Sequence, residues 1–185
     1  MSIEFTGERV VPWRMGVGAA GLMRDHAARY ALALPMVAGR MVVDLGCGTG
    51  YGAFMLAWVA RQVIGIDHCE EALAFGRLHF EAGNLTFRNG NLERLVVLPG
   101  AEVYVAFEVL EHLDNPVALI RLVRGALIWS VPVDCASEFH RQVYSLEEAC
   151  RLVPGSEIWY QAEGQIVRRE RADFAPVYVC GVRPG

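Results

Sequence analysis

The chain has 185 residues, of which 54% are hydrophobic and 21% are charged, and its net charge is −4. This length suits one domain with one core, and this composition excludes an extended disordered protein. A negative net charge disfavours nucleic acid as a partner, since non-specific binding needs a basic face. The five cysteines are scattered and form no C-x-x-C pair. They predict neither a disulfide framework nor a zinc site, and they favour the reducing cytoplasm.

Short apolar runs alternate with helical segments along most of the chain. The first predicted helix spans residues 19–34 and ends before Pro35. The later predicted elements are strand 41–45, helix 51–60, strand 62–66, helix 69–79, strands 84–88 and 101–107, helix 115–124, strand 126–131, a helix beginning at Ser145, and strands near 157–167 and 174–182. This alternation predicts an α/β fold with a parallel sheet and helices on both faces. No apolar stretch is long enough to span a bilayer and no signal peptide is visible, so we expect no membrane partner.

A glycine-rich loop follows the first of these strands. Asp44 lies at the end of that strand, and Gly46, Gly48 and Gly50 let a ligand approach the backbone closely. A strand-to-helix turn of this kind binds nucleotide-like ligands in α/β sheets. A dinucleotide fingerprint would have its third glycine at the position of Tyr51, and a pyrophosphate does not favour a nearby carboxylate. S-adenosylmethionine (SAM), which carries an ammonium and a sulfonium, suits the acid better than NAD does.

Residues 41–50 resemble the first motif of class I SAM-dependent methyltransferases. Asp67 ends a second apolar strand, where the family has an acid that binds both ribose hydroxyls, and Asn91 stands where the family usually has an adenine-binding Asp. The resemblance implies a Rossmann-like fold with a seven-stranded, mostly parallel sheet and helices on both faces. The implied domain covers residues 1–185, with residues 1–40 as a cap over the cofactor site and residues 41–185 as the core. The implied cofactor residues are Asp44, Gly46, Cys47, Gly48, Gly50, Tyr51, Asp67, His68, Asn91, Leu92, Phe107 and Arg29.

A second group of polar residues follows the strand 101–107. If residues 108–112 form a helical turn, Glu108, Glu111 and His112 share one face, and His140 follows the next strand at the same sheet edge. Two carboxylates with imidazoles suit Mg²⁺ or Mn²⁺. The E-x-x-E-H pattern resembles ubiquinone-biosynthesis O-methyltransferases and small-RNA 3′-terminal 2′-O-methyltransferases, which implies that these four residues bind a metal and act in catalysis. Without a metal, His112 or His140 is the candidate general base, and the acids bond the loop backbone.

The beginning of the chain carries a further resemblance. Residues 5–12, followed by His26, Arg29 and Tyr30, are similar to the start of bacterial methyltransferases that are linked to surface polysaccharide or other glycosylated products. In that group this segment folds over the cofactor. The resemblance implies that Arg9 or Arg29 pairs with the methionine carboxylate of SAM, a geometry that Arg suits.

These patterns predict a SAM-dependent methyltransferase that acts on a hydroxyl or amine of a small molecule or glycosylated metabolite. Three alternatives remain at this point. They are a metal-dependent RNA 3′-terminal 2′-O-methyltransferase, an NAD-binding oxidoreductase and a non-catalytic methyltransferase-like protein that acts through a partner. The high apolar fraction for this chain length also points to a buried interface such as that of a homodimer.

Overall fold

The computed structural model describes residues 20–185 of the chain. The predicted segment 5–12 and Arg9 lie outside the described residues. The strands are β1 (Met41–Leu45), β2 (Gln62–Asp67), β3 (Leu85–Asn89), β4 (Val103–Phe107), β5 (Ala126–Pro132), β6 (Glu157–Ala162), β7 (Gln165–Arg168) and β8 (Tyr178–Arg183). The helices are α1 (Ala20–Val37), α2 (Tyr51–Ala57), α3 (Glu70–His79), α4 (Pro116–Leu122) and α5 (Leu146–Arg151), with 3₁₀ helices at Leu110–His112 and Arg169–Arg171.

The strands form one eight-stranded sheet in the order β3-β2-β1-β4-β5-β8-β6-β7. The five strands from β3 to β5 pair in parallel, whereas β8 is antiparallel to both of its neighbours. The carboxyl ends of the parallel strands therefore meet at one edge, and the amino end of β8 reaches the same edge. This arrangement brings loops that are distant in the sequence to one place, which is where ligands bind in such sheets.

Helices cover both faces of the sheet, as the alternation of elements predicted. The central strand β4 shows why: Val103, Val105 and Phe107 pack in one core cluster, and Tyr104 and Ala106 pack in the other. Side chains on α1, α2 and α3 belong to the first cluster, and those on α4 and α5 belong to the second. A strand that is buried on both faces needs apolar residues at every position, and β4 is buried throughout.

Helix boundaries follow local signals at several ends. Asn115 accepts a hydrogen bond from the Ala118 N–H at the start of α4, and Ser145 forms a capping box with Glu148 at the start of α5. The prediction that the first helix ends before Pro35 is wrong. Pro35 lies in the last turn of α1, where it removes one backbone hydrogen bond. The turn persists because Val37 is fully buried in the core.

The sheet has eight strands, one more than the seven predicted. The segment predicted as one strand near residues 157–167 is a hairpin of β6 and β7, turning at Glu163 and Gly164. Both turn residues have positive φ, 50° and 79°, as a tight two-residue hairpin turn requires. Among helices of residues 20–185, none combines the length and the apolar character that crossing a membrane requires.

Candidate active site

The glycine loop between β1 and α2 is fixed by backbone contacts from the neighbouring strand. The N–H groups of Gly46 and Cys47 both donate to the carbonyl of Ile66, at 2.8 and 3.0 Å. Gly46 and Gly50 have positive φ, and a Cβ on either would lie within 2.6 Å of a packed side chain. Gly48 also has positive φ, but a Cβ there would meet no atom within 4 Å. The loop is thus closely packed at both ends and open at its middle, where a ligand can approach the backbone.

Asp67 connects this loop to helix α3. One oxygen of its carboxylate, Oδ2, accepts the Gly48 N–H at 2.8 Å, and Oδ1 accepts the Cys69 N–H at 2.9 Å. His68 Nδ1 lies 3.6 Å from Oδ1, and the His68 side chain is largely exposed. Each carboxylate oxygen has a second lone pair, so Asp67 keeps the capacity to accept a hydrogen bond from a ligand hydroxyl.

Asp44 lies beneath the loop and is fully buried. The Tyr30 O–H donates to its carboxylate, at 3.2 Å from Oδ2 and 3.4 Å from Oδ1. Burial raises the pKa of Asp44 from 3.8 to about 8; the charge of Asp67 adds to the rise, and the Tyr30 hydrogen bond opposes it. Burial also raises the pKa of Cys47, so this thiol is a small neutral side chain and not a reactive thiolate.

One cavity of about 950 Å³ extends from this loop to the carboxyl ends of β4 and β5. Its lining brings together most of the predicted site residues, namely Gly46, Cys47, Gly48, Tyr51, Asp67, His68, Asn91, Leu92, Phe107, Glu108, Glu111, His112 and His140. Three predicted cofactor residues do not border it: Asp44, Gly50 and Arg29. Asp44 reaches the cavity only through Tyr30, which does border it.

Arg29 is fully buried between α1 and the last strands of the sheet. Its Nη1 donates to Gln161 Oε1 at 2.8 Å, and its guanidinium lies 4.4 Å from the centroid of the Tyr178 ring. Its Nε and Nη2 are buried without a hydrogen-bond partner among the described residues. Burial is the largest influence and lowers the pKa of Arg29, but the interactions with Glu108, Cys180, Tyr178 and Tyr51 together outweigh it, so the pKa is raised. Since neighbouring Tyr178 and Tyr51 border the cavity, Arg29 lies just outside its wall.

A cluster of three possible metal ligands lies at the other end of the cavity. One ligand atom each from Glu111, His112 and His140 lies within 4.8 Å of the other two. Both carboxylate oxygens of Glu111 are buried without a hydrogen-bond partner in the described part of the chain. Burial, and then the charge of Glu108, raises the pKa of Glu111 well above its usual range. A buried carboxylate with no donor is stabilised by a proton or by a cation.

The two imidazoles of this cluster are oriented by main-chain carbonyls. His112 Nδ1 lies 2.9 Å from the Phe139 carbonyl, and His140 Nδ1 lies 2.8 Å from the Cys135 carbonyl. A carbonyl only accepts hydrogen bonds, so each Nδ1 carries the proton and each Nε2 of the neutral ring has a bare lone pair. His112 Nε2 is 3.8 Å from Glu111 Oε1. Carbonyl-bound histidines with bare Nε2 atoms are a common arrangement in metal sites, so these residues fit a divalent cation.

Glu108 does not share a helical face with these residues, and the expectation that residues 108–112 form one helical turn is wrong. Its φ is +55°, and the 3₁₀ helix begins only at Leu110. Its Oε1 accepts a hydrogen bond from the Ser130 Oγ–H at 2.7 Å. The cluster of Glu111, His112 and His140 therefore does not include Glu108.

The cavity also has lining residues to which the sequence patterns assigned no role. Tyr178, at the start of β8, and Cys135, after β5, both border it. Tyr178 begins an antiparallel strand, so the residue reaches the ligand-binding edge from the opposite chain direction. A closing antiparallel strand is the one sequence signal that would have indicated it. Ser130 does not line the cavity but bonds Glu108, which does; it lies inside an otherwise apolar run, and nothing in the sequence marks it.

Comparisons with known proteins agree with this geometry. Residues 42–127 match the family model described as a methyltransferase domain. A protein of Mycolicibacterium smegmatis named "Probable S-adenosylmethionine-dependent methyltransferase" is 40% identical over 115 residues, covering 60% of this chain and 42% of the relative. The ubiquinone biosynthesis O-methyltransferase of Albidiferax ferrireducens is 37% identical over 90 residues, covering 46% of this chain and 36% of the relative. The match thus spans less than half the length of these curated relatives.

Solved structures share the fold at lower sequence identity. The methyltransferase domain of bacterial CtHen1 superposes with a TM-score of 0.65 at 19% identity, over 89% of this chain and 100% of that one. Magnesium protoporphyrin IX methyltransferase from Synechocystis, solved with bound S-adenosylhomocysteine, gives 0.59 at 19% identity, over 90% and 84%.

The described part of the chain has the class I methyltransferase fold, and its cavity lies at the edge of the sheet where such folds bind their ligands. The resemblance predicted from residues 41–50 is confirmed, since residues 42–127 match the model of a methyltransferase domain and the curated relatives carry the names of SAM-dependent methyltransferases.

Proposed function

We propose that this protein is a SAM-dependent methyltransferase that acts on a hydroxyl or amine of a small molecule or glycosylated metabolite. The observation that carries the proposal is the continuity of one cavity from the open glycine loop and Asp67 to the polar residues after β4 and β5. A volume of about 950 Å³ is in the upper range of ligand pockets, enough for a nucleoside cofactor with an acceptor beside it.

The proposed cofactor position follows the order of strands at the sheet edge. Adenine lies by Asn91 and Leu92 after β3, and the ribose hydroxyls donate to Asp67 at the end of β2. The Asn91 Oδ1 accepts the Glu93 N–H at 2.9 Å and keeps a second lone pair for the adenine amino group, and its amide N–H₂ can donate to a ring nitrogen. The methionine end then lies over the glycine loop, near Tyr30 and the buried Asp44.

The proposed role of Arg29 is to balance the methionine carboxylate. Its Nε and Nη2, buried without a hydrogen-bond partner among residues 20–185, support this role, because an anion at the nearby cavity wall would stabilise their positive charge. When bound, SAM supplies a methyl group on a sulfonium, which is already a strong electrophile. The residues of this chain are then needed to align the acceptor and to receive its proton. For a hydroxyl acceptor, His112 and His140 have bare Nε2 atoms for that task.

Binding of S-adenosylhomocysteine (SAH), measured by isothermal titration in EDTA, tests this proposal. We expect micromolar binding by the wild type and a loss of about tenfold or more in Asp67→Asn, which replaces a charged hydrogen-bond acceptor. Asp114→Asn is the matched control, because Asp114 is exposed and lies outside the cavity. No SAH binding, together with NADH binding, would support the oxidoreductase alternative and contradict the proposal.

A second candidate function is metal-assisted methyl transfer, and the buried Glu111 carboxylate, which has no hydrogen-bond partner in the described part of the chain, favours it. Glu111, His112 and His140 would hold the cation, which would lower the pKa of an acceptor hydroxyl. Titration with Mn²⁺ alone tests the site. We expect binding by the wild type and its loss in Glu111→Gln, whereas Glu138→Gln, an exposed cavity carboxylate, leaves it unchanged. Mn²⁺ binding that persists in Glu111→Gln would refute the site.

The remaining alternatives make different predictions. An RNA 3′-terminal acceptor requires metal-dependent methylation that periodate pretreatment of the RNA abolishes. A non-catalytic role requires SAH binding with no methyl transfer in a broad acceptor screen. The five free cysteines are consistent with the proposed cytoplasmic location, and a homodimer predicts twice the monomer mass in solution.

A further inference from the structure

Glu108 is held in an unusual backbone conformation at the cavity wall. It has φ +55°, which is uncommon for a residue with a side chain, and it borders the cavity directly after β4. Its N–H lies 3.2 Å from both the carbonyl and the Oγ of Ser130 on β5. Conformations of this kind persist only where surrounding contacts hold them, and they concentrate at functional sites.

Ser130 also fixes the side chain of Glu108. The Ser130 Oγ–H donates to Glu108 Oε1 at 2.7 Å, and Ser130 is fully buried in β5. Within residues 20–185, no group donates a hydrogen bond to the other oxygen, Oε2, and no Arg or His forms an ion pair with Glu108. The result is a carboxylate with one oxygen anchored to the sheet and the other available to a ligand in the cavity.

The position of Glu108 corresponds to the acceptor end of the cavity, an assignment that rests on the proposed function. Along the sheet edge, β2 carries Asp67, β1 carries the glycine loop, and β4 carries Glu108. A cofactor with its ribose at Asp67 and its methionine end over the glycine loop presents its sulfonium toward β4. Glu108 is therefore the first charged residue that an acceptor meets beyond the reactive methyl group.

The charges around the cavity favour a cation over an anion. Among residues 20–185, the carboxylates that border it are Asp67, Glu93, Glu108, Glu111 and Glu138, against one guanidinium, that of Arg141. Arg29 adds a buried positive charge near Glu108 but has no surface on the cavity. A cleft lined mainly by one sign of charge concentrates ligands of the opposite sign. An acceptor that carries a phosphate or carboxylate group is therefore disfavoured beside Glu108, whereas the methionine carboxylate of the cofactor has the charge of Arg29 to balance it.

We propose that Glu108, positioned by Ser130, receives an amine acceptor in its ammonium form, which makes the substrate a cationic amine. One ammonium proton passes to Glu108 Oε2 and then to water. The freed nitrogen lone pair forms the N–CH₃ bond while the S–CH₃ bond breaks, and the electron pair of that bond goes to sulfur. The products are SAH and a methylated ammonium. Glu108 contacts the acceptor and is a catalytic residue, whereas Ser130 acts through it and is a positioning residue.

Sinefungin tests this role without knowledge of the natural acceptor. This SAM analogue carries an amine-bearing carbon in place of the methylated sulfonium, so near neutral pH it places an ammonium where the transferred methyl and the acceptor meet. Its affinity is compared with that of SAH by isothermal titration, with EDTA present throughout to remove metal. We expect the wild type to bind sinefungin about tenfold or more tighter than SAH, because one charge-assisted hydrogen bond is added.

Variants at Glu108, Ser130 and Glu138 test whether the Glu108 carboxylate produces the preference for sinefungin over SAH. Glu108→Gln should lose the preference for sinefungin and keep the SAH affinity. Ser130→Ala should lose part of the preference for sinefungin. Ser130→Thr keeps the hydroxyl and should restore the preference for sinefungin. A purely structural role of Ser130 would not predict this recovery. Glu138→Gln is the control and keeps the preference. SAH binding without a sinefungin preference, or a preference that survives in Glu108→Gln, overturns the inference, whereas failure to bind SAH contradicts the proposed function instead.

Discussion

Replacing Asp44 by Asn should remove part of the pH dependence of the unfolding free energy. The pKa of Asp44 is raised from 3.8 to about 8, first by burial and also by the charge of Asp67, while the Tyr30 hydrogen bond lowers it. The folded state therefore keeps this proton to higher pH than the unfolded state does. Its contribution to stability is complete below the unfolded pKa and is lost as the pH rises through the folded pKa.

The magnitude follows from the shift. Each pH unit between the two pKa values is worth about 1.4 kcal/mol, so the wild type should lose about 4 kcal/mol from this group between about pH 5 and pH 8. Asn does not titrate, but its buried amide N–H₂ lacks an acceptor, which costs about 1–3 kcal/mol at every pH. Asp44→Asn should thus be less stable than the wild type near the acid end and more stable near the alkaline end.

Urea unfolding of the ligand-free protein, followed by tryptophan fluorescence across this pH range, measures the effect. The difference in unfolding free energy between the variant and the wild type is compared across pH, because the contributions of all other titrating groups cancel in this difference. Asp114→Asn, which changes an exposed carboxylate, is the control, and its curve should run parallel to that of the wild type. Parallel curves for Asp44→Asn as well would refute the assignment of a buried, protonated Asp44.

Two further changes test the packing around the site and the cap of α5. A Cβ on Gly52 would lie 1.9 Å from the Tyr30 ring. Gly52→Ala should therefore lower the unfolding free energy, measured in urea, by about 3 kcal/mol or more. Gly83→Ala is the control and should have little effect, because a Cβ there would meet no atom within 4 Å. Ser145→Ala removes the capping box of α5 and should cost about 1 kcal/mol, or about 2–4 °C in melting temperature; an unchanged value would contradict the cap.

The central strands and the glycine loop were predictable because their signals are local. Residues 41–45 and 62–66 are mostly apolar, with Asp44 and Gln62 as the polar exceptions, and short apolar strands of that kind are buried on both faces. Asp67 was predictable as well, since an acid at the end of such a strand lies at the ligand-binding edge. In each case the pattern and the fold depend on the same few neighbouring residues.

The hairpin and the acceptor end of the cavity depend on contacts that the sequence does not display. The run 157–167 is broken only by the positive φ of Glu163 and Gly164, and Glu is not a residue that signals such a turn. Arg29 is buried because Gln161 and Tyr178 meet it from strands more than 130 positions later in the chain. The role of Ser130 could not be predicted for the same reason, since its partner Glu108 follows another strand, β4.

The spacing of Glu108 and Glu111 suggested a four-ligand metal site, and the backbone separates the two residues. Because Glu108 has positive φ and bonds Ser130, only Glu111 joins the histidine cluster. The affinity for Mn²⁺ should therefore fall by about tenfold or more in Glu111→Gln, which loses a direct ligand, and much less in Glu108→Gln, which loses only a nearby charge. Titration of both variants with Mn²⁺ decides between the arrangements. Equal losses would restore Glu108 to the metal site and remove the basis for its separate role at the acceptor.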